Sequence, residues 1–329
     1  MITMTHDETP PVSAVICAYT EKRWEDILQA VASLQRQTVR PAEILLVIDH
    51  NDALLARVRA EIAGVRAIPS AGIQGLSGAR NTGIAAAAGP LIAFLDDDAI
   101  ATPDWLARLA RRCADPHVLG AGGWIEPAWE GSRPRWFPSE FDWVVGCSYR
   151  GLPTVVTPVR NTFGGCLMMR KEVFETVGGF RDGIGRVGTV PLGDEDTELC
   201  IRAQQHWPDR VLLFDPDAHI AHRVPASRAH WRYLCSRCYA EGLSKALVIG
   251  FVGTHDGLAT ERSYTLHTLP AGVLRGLTDT LVRRDVAGLA RAAAITVGFT
   301  WTVAGYLKGT YTRWRRNSRW GGKGAVDAS

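Results

Sequence analysis

The chain lacks an excess of charge of either sign. Its 37 basic residues stand against 34 acidic ones, a formal net charge of +3 over 329 residues. That is too mild to argue for a nucleic-acid partner. The opening Met-Ile-Thr-Met-Thr-His-Asp-Glu-Thr-Pro-Pro has acids and prolines but no apolar core, so it does not read as a signal peptide. Neither repeats nor low-complexity tracts occur. Cysteine is present only as an odd, scattered set: Cys17, Cys113, Cys147, Cys166, Cys200, Cys235 and Cys238. Several sit in apolar runs, where a thiol behaves as a small hydrophobe, and they read as reduced cytoplasmic thiols. Cys235 and Cys238 form a CxxC with no second pair, a poor basis for zinc or redox chemistry.

What the chain does have is apolar content of 46% with 22% charged residues, and length enough for one large α/β domain plus an appendage. Residues 91–98, Leu-Ile-Ala-Phe-Leu-Asp-Asp-Asp, are a strand-length apolar run ending in three carboxylates. Alone, such a triplet is as readily a solvated turn or a helix cap. Crowded at a strand end, however, three carboxylates need a cation, and a hard divalent ion shared with diphosphate oxygens fits. Upstream, Gly75-Leu-Ser-Gly-Ala-Arg-Asn-Thr-Gly83 combines glycines that let backbone approach a ligand with Arg80, a planar cation suited to phosphate or base edges. A helix start with small residues for close packing is the competing account. Val12–Tyr19 and Ile44–Asp49 read as buried strands, the second ending in Asp49, a nucleobase or ribose acceptor at a strand's carboxyl end. Helical spacing covers Trp24–Leu34 and Asp104–Cys113, with Thr102-Pro103 as the cap of the latter.

In sequence order, Val15-Ile-Cys-Ala-Tyr19 with Asp49, Gly78-Ala-Arg-Asn-Thr-Gly83, Asp96-Asp97-Asp98 and Gly193-Asp-Glu-Asp-Thr-Glu-Leu199 form a set. Gly164-Gly165, Gly178-Gly-Phe180 and Pro216-Asp-Ala-His-Ile-Ala-His222 extend it. From about Pro11 to about Val224 the chain resembles the inverting family 2 glycosyltransferases. One departure is His50-Asn51-Asp52 after Asp49, where many members have a second acid or Gly-Ser. The resemblance implies a GT-A fold, a Rossmann-like mixed sheet, over residues 1–228; residues 229–329 are expected from their own pattern to form a helical, membrane-associating region. It implies Asp196 as catalytic base with Glu195 beside it, and a nucleotide sugar held by Ala18, Tyr19, Asp49, Arg80, Asn81, Asp96 and Asp97. Asp98 and His222 would hold Mg²⁺ or Mn²⁺. Acids in a first helical turn are otherwise explained by the helix dipole alone.

Residues 124–160 cluster aromatic side chains with prolines. They either plug a core beneath a loop or form a sugar-stacking pocket, with Trp136, Trp143 and Gly165 as acceptor candidates. Local similarity of Pro134–Tyr149 to transferases that build lipid-linked glycans favours a UDP-hexose or UDP-hexuronate donor and a lipid-linked or glycan acceptor. Helical patterns follow at His230–Val252 and Ser263–Arg284. Ala292–Leu307 is sixteen residues without a charge, short of the roughly 20 that span a bilayer. With the basic, Trp-bearing segment from Lys308 to Lys323, it suits a helix lying on an anionic membrane surface at the cytoplasmic face, where nucleotide sugars are made. Packing on the catalytic domain or against a second copy is the alternative. A sugar nucleotidyltransferase would carry a Gly-rich basic loop at its first strand, but here that strand runs into Cys17-Ala-Tyr-Thr-Glu-Lys22. A catalytically silent sugar-binding protein would not need both Asp98 and Asp196.

Overall fold

The computed structural model describes residues 10–185, 193–253 and 259–320, with the side chains of 259–260 and 316–320 excluded. The first nine residues and, in the basic segment, Lys323 and the side chains of Arg316, Arg319 and Trp320 lie outside that description.

Strands β1 (Val12–Ala18), β2 (Glu43–Ile48) and β4 (Leu91–Asp96) are nearly continuous apolar runs because helices cover both faces of the sheet. Alternation sorts their side chains. Ile16, Leu46 and Leu95 pack with Trp24, Ile27, Leu34 and Trp105 on one face. Val15, Leu45 and Phe94 pack with Ala79, Phe174 and Phe180 on the other. β1 pairs in parallel with β2 and β4, and β3 (Arg66–Pro69) extends the parallel set beyond β2. Parallel neighbours need crossovers, supplied by α1 (Trp24–Gln35), α2 (Asp52–Glu61) and α3 (Leu76–Ala86). The carboxyl ends of β1, β2 and β4 therefore emerge along one edge, where ligands of open α/β sheets bind.

The sheet becomes mixed at β8 (Cys166–Arg170), antiparallel to both β4 and β6 (Val118–Trp129). The strand order is β3-β2-β1-β4-β8-β6, then β9 (Val211–Val224) and β5 (Ala99–Ala101), with β7 (Thr157–Val159) pairing to β9. β5 runs antiparallel to β9 and sets Ala99 opposite His222. Thr102 continues that ladder: its amide and hydroxyl both donate to the His219 carbonyl at 3.0 Å. It is thus not the cap expected for the following helix. α4 begins one residue past Asp104 and spans Trp105–Arg112.

After α5 (Lys171–Val177) and α6 (Glu195–His206) come α7 (Trp231–Val252), a short α8 (Ala259–Ser263), a π turn at Tyr264–Thr268, α9 (Leu269–Val282) and α10 (Ala287–Trp320). α10 lies along α7 with backbones nearly touching. A Cβ on Gly242 would strike the Thr302 carbonyl, and one on Gly305 the Tyr239 carbonyl. Gly298 likewise sits on the Phe141 ring and fastens α10 to the sheet-bearing part. The charge-free stretch expected to fall short of a span is part of this longer helix. Residues Ala287–Arg315 have the length and composition to cross a membrane, and 28% of the most apolar window is buried against protein.

Candidate active site

β4 delivers Asp96 to the ligand edge, and a tight turn carries Asp97 and Asp98 into β5. The register of β5 on β9 then brings His222 Nε2 to 3.2 Å from Asp98 Oδ1. Candidate ligand atoms of Asp96, Asp98 and His222 all lie within 4.8 Å of one another. Arg23, from the turn ahead of α1, donates to Asp97 Oδ1 at 2.6 Å and sits 3.2 Å from Asp98 Oδ2. Burial pushes Asp97 up to about 7 against the pull of Arg23. Burial works the same way on Asp98, but His222 and Arg23 outweigh it and hold that carboxyl well below the usual range. Two carboxylates and one imidazole form an oxygen-and-nitrogen donor set suited to Mg²⁺ or Mn²⁺. Asp97 Oδ2 is buried with no hydrogen-bond partner among the described residues, as expected beside a site completed by a cation.

Asp49, just past β2, accepts the Gly75 amide at 2.9 Å and pairs with His50 Nδ1 at 2.8 Å. Ala18 and Tyr19 line the mouth of the same cavity. Arg80 is fully inside: Nη1 meets Glu195 Oε1 at 2.9 Å and Nη2 meets Asp96 Oδ1 at 3.3 Å. Gly164 and Gly165 make this possible, since a Cβ on either would collide with the Arg80 guanidinium or the Asp96 carboxylate respectively. Gly165 therefore faces Asp96. The glycines of α3 do the packing work of the bland account: a Cβ on Gly83 would enter Val15, and one on Gly78 the Ile73 backbone. Asn81 turns from the cavity and brackets Phe180, donating to its carbonyl and accepting from its amide, both at 2.8 Å.

Asp194 adopts a left-handed backbone (φ 70°), and α6 starts immediately after it. That turn projects Asp196 into the cavity, where Oδ2 accepts the Gly164 amide at 2.6 Å and Oδ1 the Thr197 amide at 2.7 Å. Burial, then the neighbouring Glu195, raises Asp196 to about 6 against the pull of Arg80. Glu198 is different: wholly buried between Arg181 and Arg202, it is spent on structure. The aromatic stretch divides. Trp143 lines the cavity and donates to the Tyr264 hydroxyl at 3.0 Å. Trp136 stacks on Trp231, centroids 4.6 Å apart, outside the cavity lining.

The cavity, about 830 Å³, contains the acidic triplet, His222, Arg80 and Asp196 in one space, and α10 contributes Phe299, Val303 and Tyr306 to its wall. Sequence reasoning missed Arg23, one residue beyond the Cys17–Lys22 segment it weighed. It also missed Arg160, Glu241, Lys245 and Glu261, which lie on elements that no motif marks.

The mixed sheet and the acid-lined cavity at its carboxyl edge define a GT-A glycosyltransferase. The chain belongs to glycosyl transferase family 2, whose model matches residues 13–178. Over 241 residues it is 31% identical to the glucosyl-dolichyl phosphate glucuronosyltransferase of Haloferax volcanii, covering 72% of this chain and 77% of that one. It is 24% identical to the succinoglycan biosynthesis protein ExoM of Rhizobium meliloti, over 79% of each. Among solved structures, a mannosyltransferase of Pyrobaculum calidifontis in complex with GDP-Man and Mn²⁺ shares the fold at a TM-score of 0.57. That match has 17% identity and covers 90% of this chain and 88% of the other.

Proposed function

We propose that this enzyme is a metal-dependent, inverting transferase that moves a hexose or hexuronate from a UDP-sugar to a hydroxyl of a lipid-linked acceptor. The observation that carries the reading is a half-buried carboxylate, Asp196, sharing one cavity with the Asp96–Asp98–His222 set. Asp98 and His222 would hold the divalent ion, and Asp96 and Asp97 would face the ribose and diphosphate. When bound, that ion supplies Lewis-acid stabilisation of the departing diphosphate. Asp49 would orient the base or ribose. Arg80 pairs with both Glu195 and Asp96 and would keep them in place.

Asp196 takes the proton from the acceptor hydroxyl as that oxygen forms its bond to the anomeric carbon. The bond from that carbon to the diphosphate oxygen breaks on the opposite side, and its electron pair leaves with the diphosphate. One in-line displacement inverts the anomeric centre and needs no enzyme nucleophile. A carboxyl held near 6 suits a base working at neutral pH, because it is ionised there yet more basic than a free aspartate.

Peripheral attachment to the cytoplasmic membrane face belongs to the same proposal. Leu266, Leu274, Leu281, Leu289 and Leu307 are exposed on the C-terminal helices, and Val286 on the turn between two of them, an arrangement that favours an apolar phase. The dolichyl phosphate in the name of the Haloferax relative is in keeping with an acceptor presented there.

The test is Asp196→Asn. Sugar transfer should fall about 10²–10⁴-fold, while calorimetry finds UDP and metal binding as in the wild type. Transfer by the purified variant at near wild-type rate would remove Asp196 from the role of base.

A further inference from the structure

Beyond Asp196 the cavity continues into a second lobe that the donor reading does not use. Lys245 of α7 is its centre, with Nζ 2.9 Å from Glu241, 2.9 Å from Glu261 and 3.6 Å from Asp194. Arg160 grips the far side of Glu261 with two bonds, at 2.7 and 3.0 Å. Arg237, Tyr149 and Tyr264 complete the wall, the two tyrosine rings packed edge-on with centroids 5.2 Å apart. Asp194 stands two residues before Asp196, so this network borders the acceptor side of the base.

The composition of the lobe selects its ligand. Lys245 and Arg160 already have carboxylate partners within 2.7–3.6 Å, so a phosphate entering here would meet Glu241 and Glu261 as well as cations. The same groups offer many donors and acceptors in a small, aromatic-walled space, which is what a ring of neutral hydroxyls requires. Phe299 and Val303 of α10 line the cavity and are also partly exposed, and the exposed Leu307 follows Val303 one turn along the same helix face. An apolar path therefore leads out of the lobe.

We propose that this lobe is the acceptor subsite and that it recognises an uncharged sugar ring, held by Asp194, Glu241 and Lys245 against Tyr149 and Tyr264. The aglycone of that sugar runs out along Phe299 and Val303. The inference rests on the transferase reading above and adds the acceptor's chemical class: a glycolipid recognised by its sugar rather than by its phosphate.

The full chain, saturated with UDP and Mn²⁺, is titrated by calorimetry with octyl β-glucoside below its micelle concentration. Octyl tetraethylene glycol serves as the ring-free control and octyl phosphate as the anionic one. The glucoside should bind most tightly. Glu241→Gln should weaken it roughly tenfold, the scale of one lost hydrogen bond to a charged group, with UDP affinity unchanged. A network that only braces the helices would lower the melting temperature and leave the three probes indistinguishable. Preference for octyl phosphate, equal binding of all three by the wild type, or glucoside binding unaltered in Glu241→Gln overturns the subsite. Failure of UDP itself to bind overturns the transferase reading, and the subsite with it.

Discussion

The sheet-bearing part and the C-terminal helices distribute polarity in opposite ways. Between β1 and β9, apolar side chains fill two layers around the sheet, and buried charges gather at one edge, each facing an opposite charge: Arg80 with Glu195 and Asp96, Arg23 with Asp97 and Asp98. Among the helices, charge goes inward and apolar surface outward. The Lys245 side chain is only 17% exposed, whereas Leu281 is 81% exposed. In water the second pattern costs stability, because leucine left exposed forgoes about 1.5–3 kcal/mol of burial. It is coherent if one side of the helices meets lipid and the other completes a polar site. On the proposals above, the comparison separates a donor half built as an ordinary α/β core from an acceptor half that meets an interface.

The sharpest way to break that division is at the donor half. Asp98→Ala removes a carboxylate that His222 and Arg23 hold ionised, so UDP affinity in the presence of Mn²⁺ should fall by about 100-fold or more, beyond the roughly 10–100-fold typical of lost outer-shell partners. EDTA should reproduce the loss in the wild type. Equal calorimetric affinities with and without the ion would remove the metal from this site.

Next in size is the acceptor half's outer face. Leu281→Glu with Leu289→Glu should reduce flotation with anionic liposomes by at least tenfold, since each lost leucine contact is worth about 1.5–3 kcal/mol. UDP binding should be untouched. These substitutions are a cleaner probe than deleting α10, whose backbone contact with α7 is part of the cavity wall. If the double variant floats like the wild type, the exposed leucines are not the membrane contact.

A smaller, graded effect concerns pH. The proposed base, Asp196, can act only when ionised, and its carboxyl is raised to about 6. The transfer rate should therefore be level above pH 7 and fall about tenfold per unit below pH 6. A profile still flat at pH 5 would mean that another group accepts the proton.

The subtlest change is Arg23→Met. Arg23 occupies Asp97 and an oxygen of Asp98. Its removal should tighten Mn²⁺ binding without nucleotide by roughly fivefold, about 1 kcal/mol, the scale of one partly exposed ion pair. Electron paramagnetic resonance of free Mn²⁺ reads this directly. Weaker binding would make Arg23 an organiser of the carboxylates rather than a competitor for them.

How legible the molecule was depends on whether a feature is local in the chain. The buried strands, the acidic end of β4 and the helix after Gly193 are runs of adjacent residues, so their patterns can be read directly. Thr102 was misread because a sheet ladder to His219, 117 positions away, claimed the hydroxyl that a helix cap would use. The role of small residues in α3 was decided by Val15 and the Ile73 backbone, neither of which a motif names. Trp136 and Trp143 look alike in sequence, yet Trp231 takes one into a stack and Tyr264 keeps the other in the cavity.

By itself, the amino-acid sequence determined the alternation of strands and helices, the cluster of carboxylates and the family, because hydrophobic period and neighbouring residue type are properties of short segments. The tertiary structure alone decided that His222 reaches Asp98, that Arg23 sits on the acidic turn, and that Lys245, Glu261 and Arg160 meet beside Asp196. Those contacts depend on strand register and helix packing between segments far apart in the chain. A buried charge shows which partner it has only when the fold has brought that partner within reach.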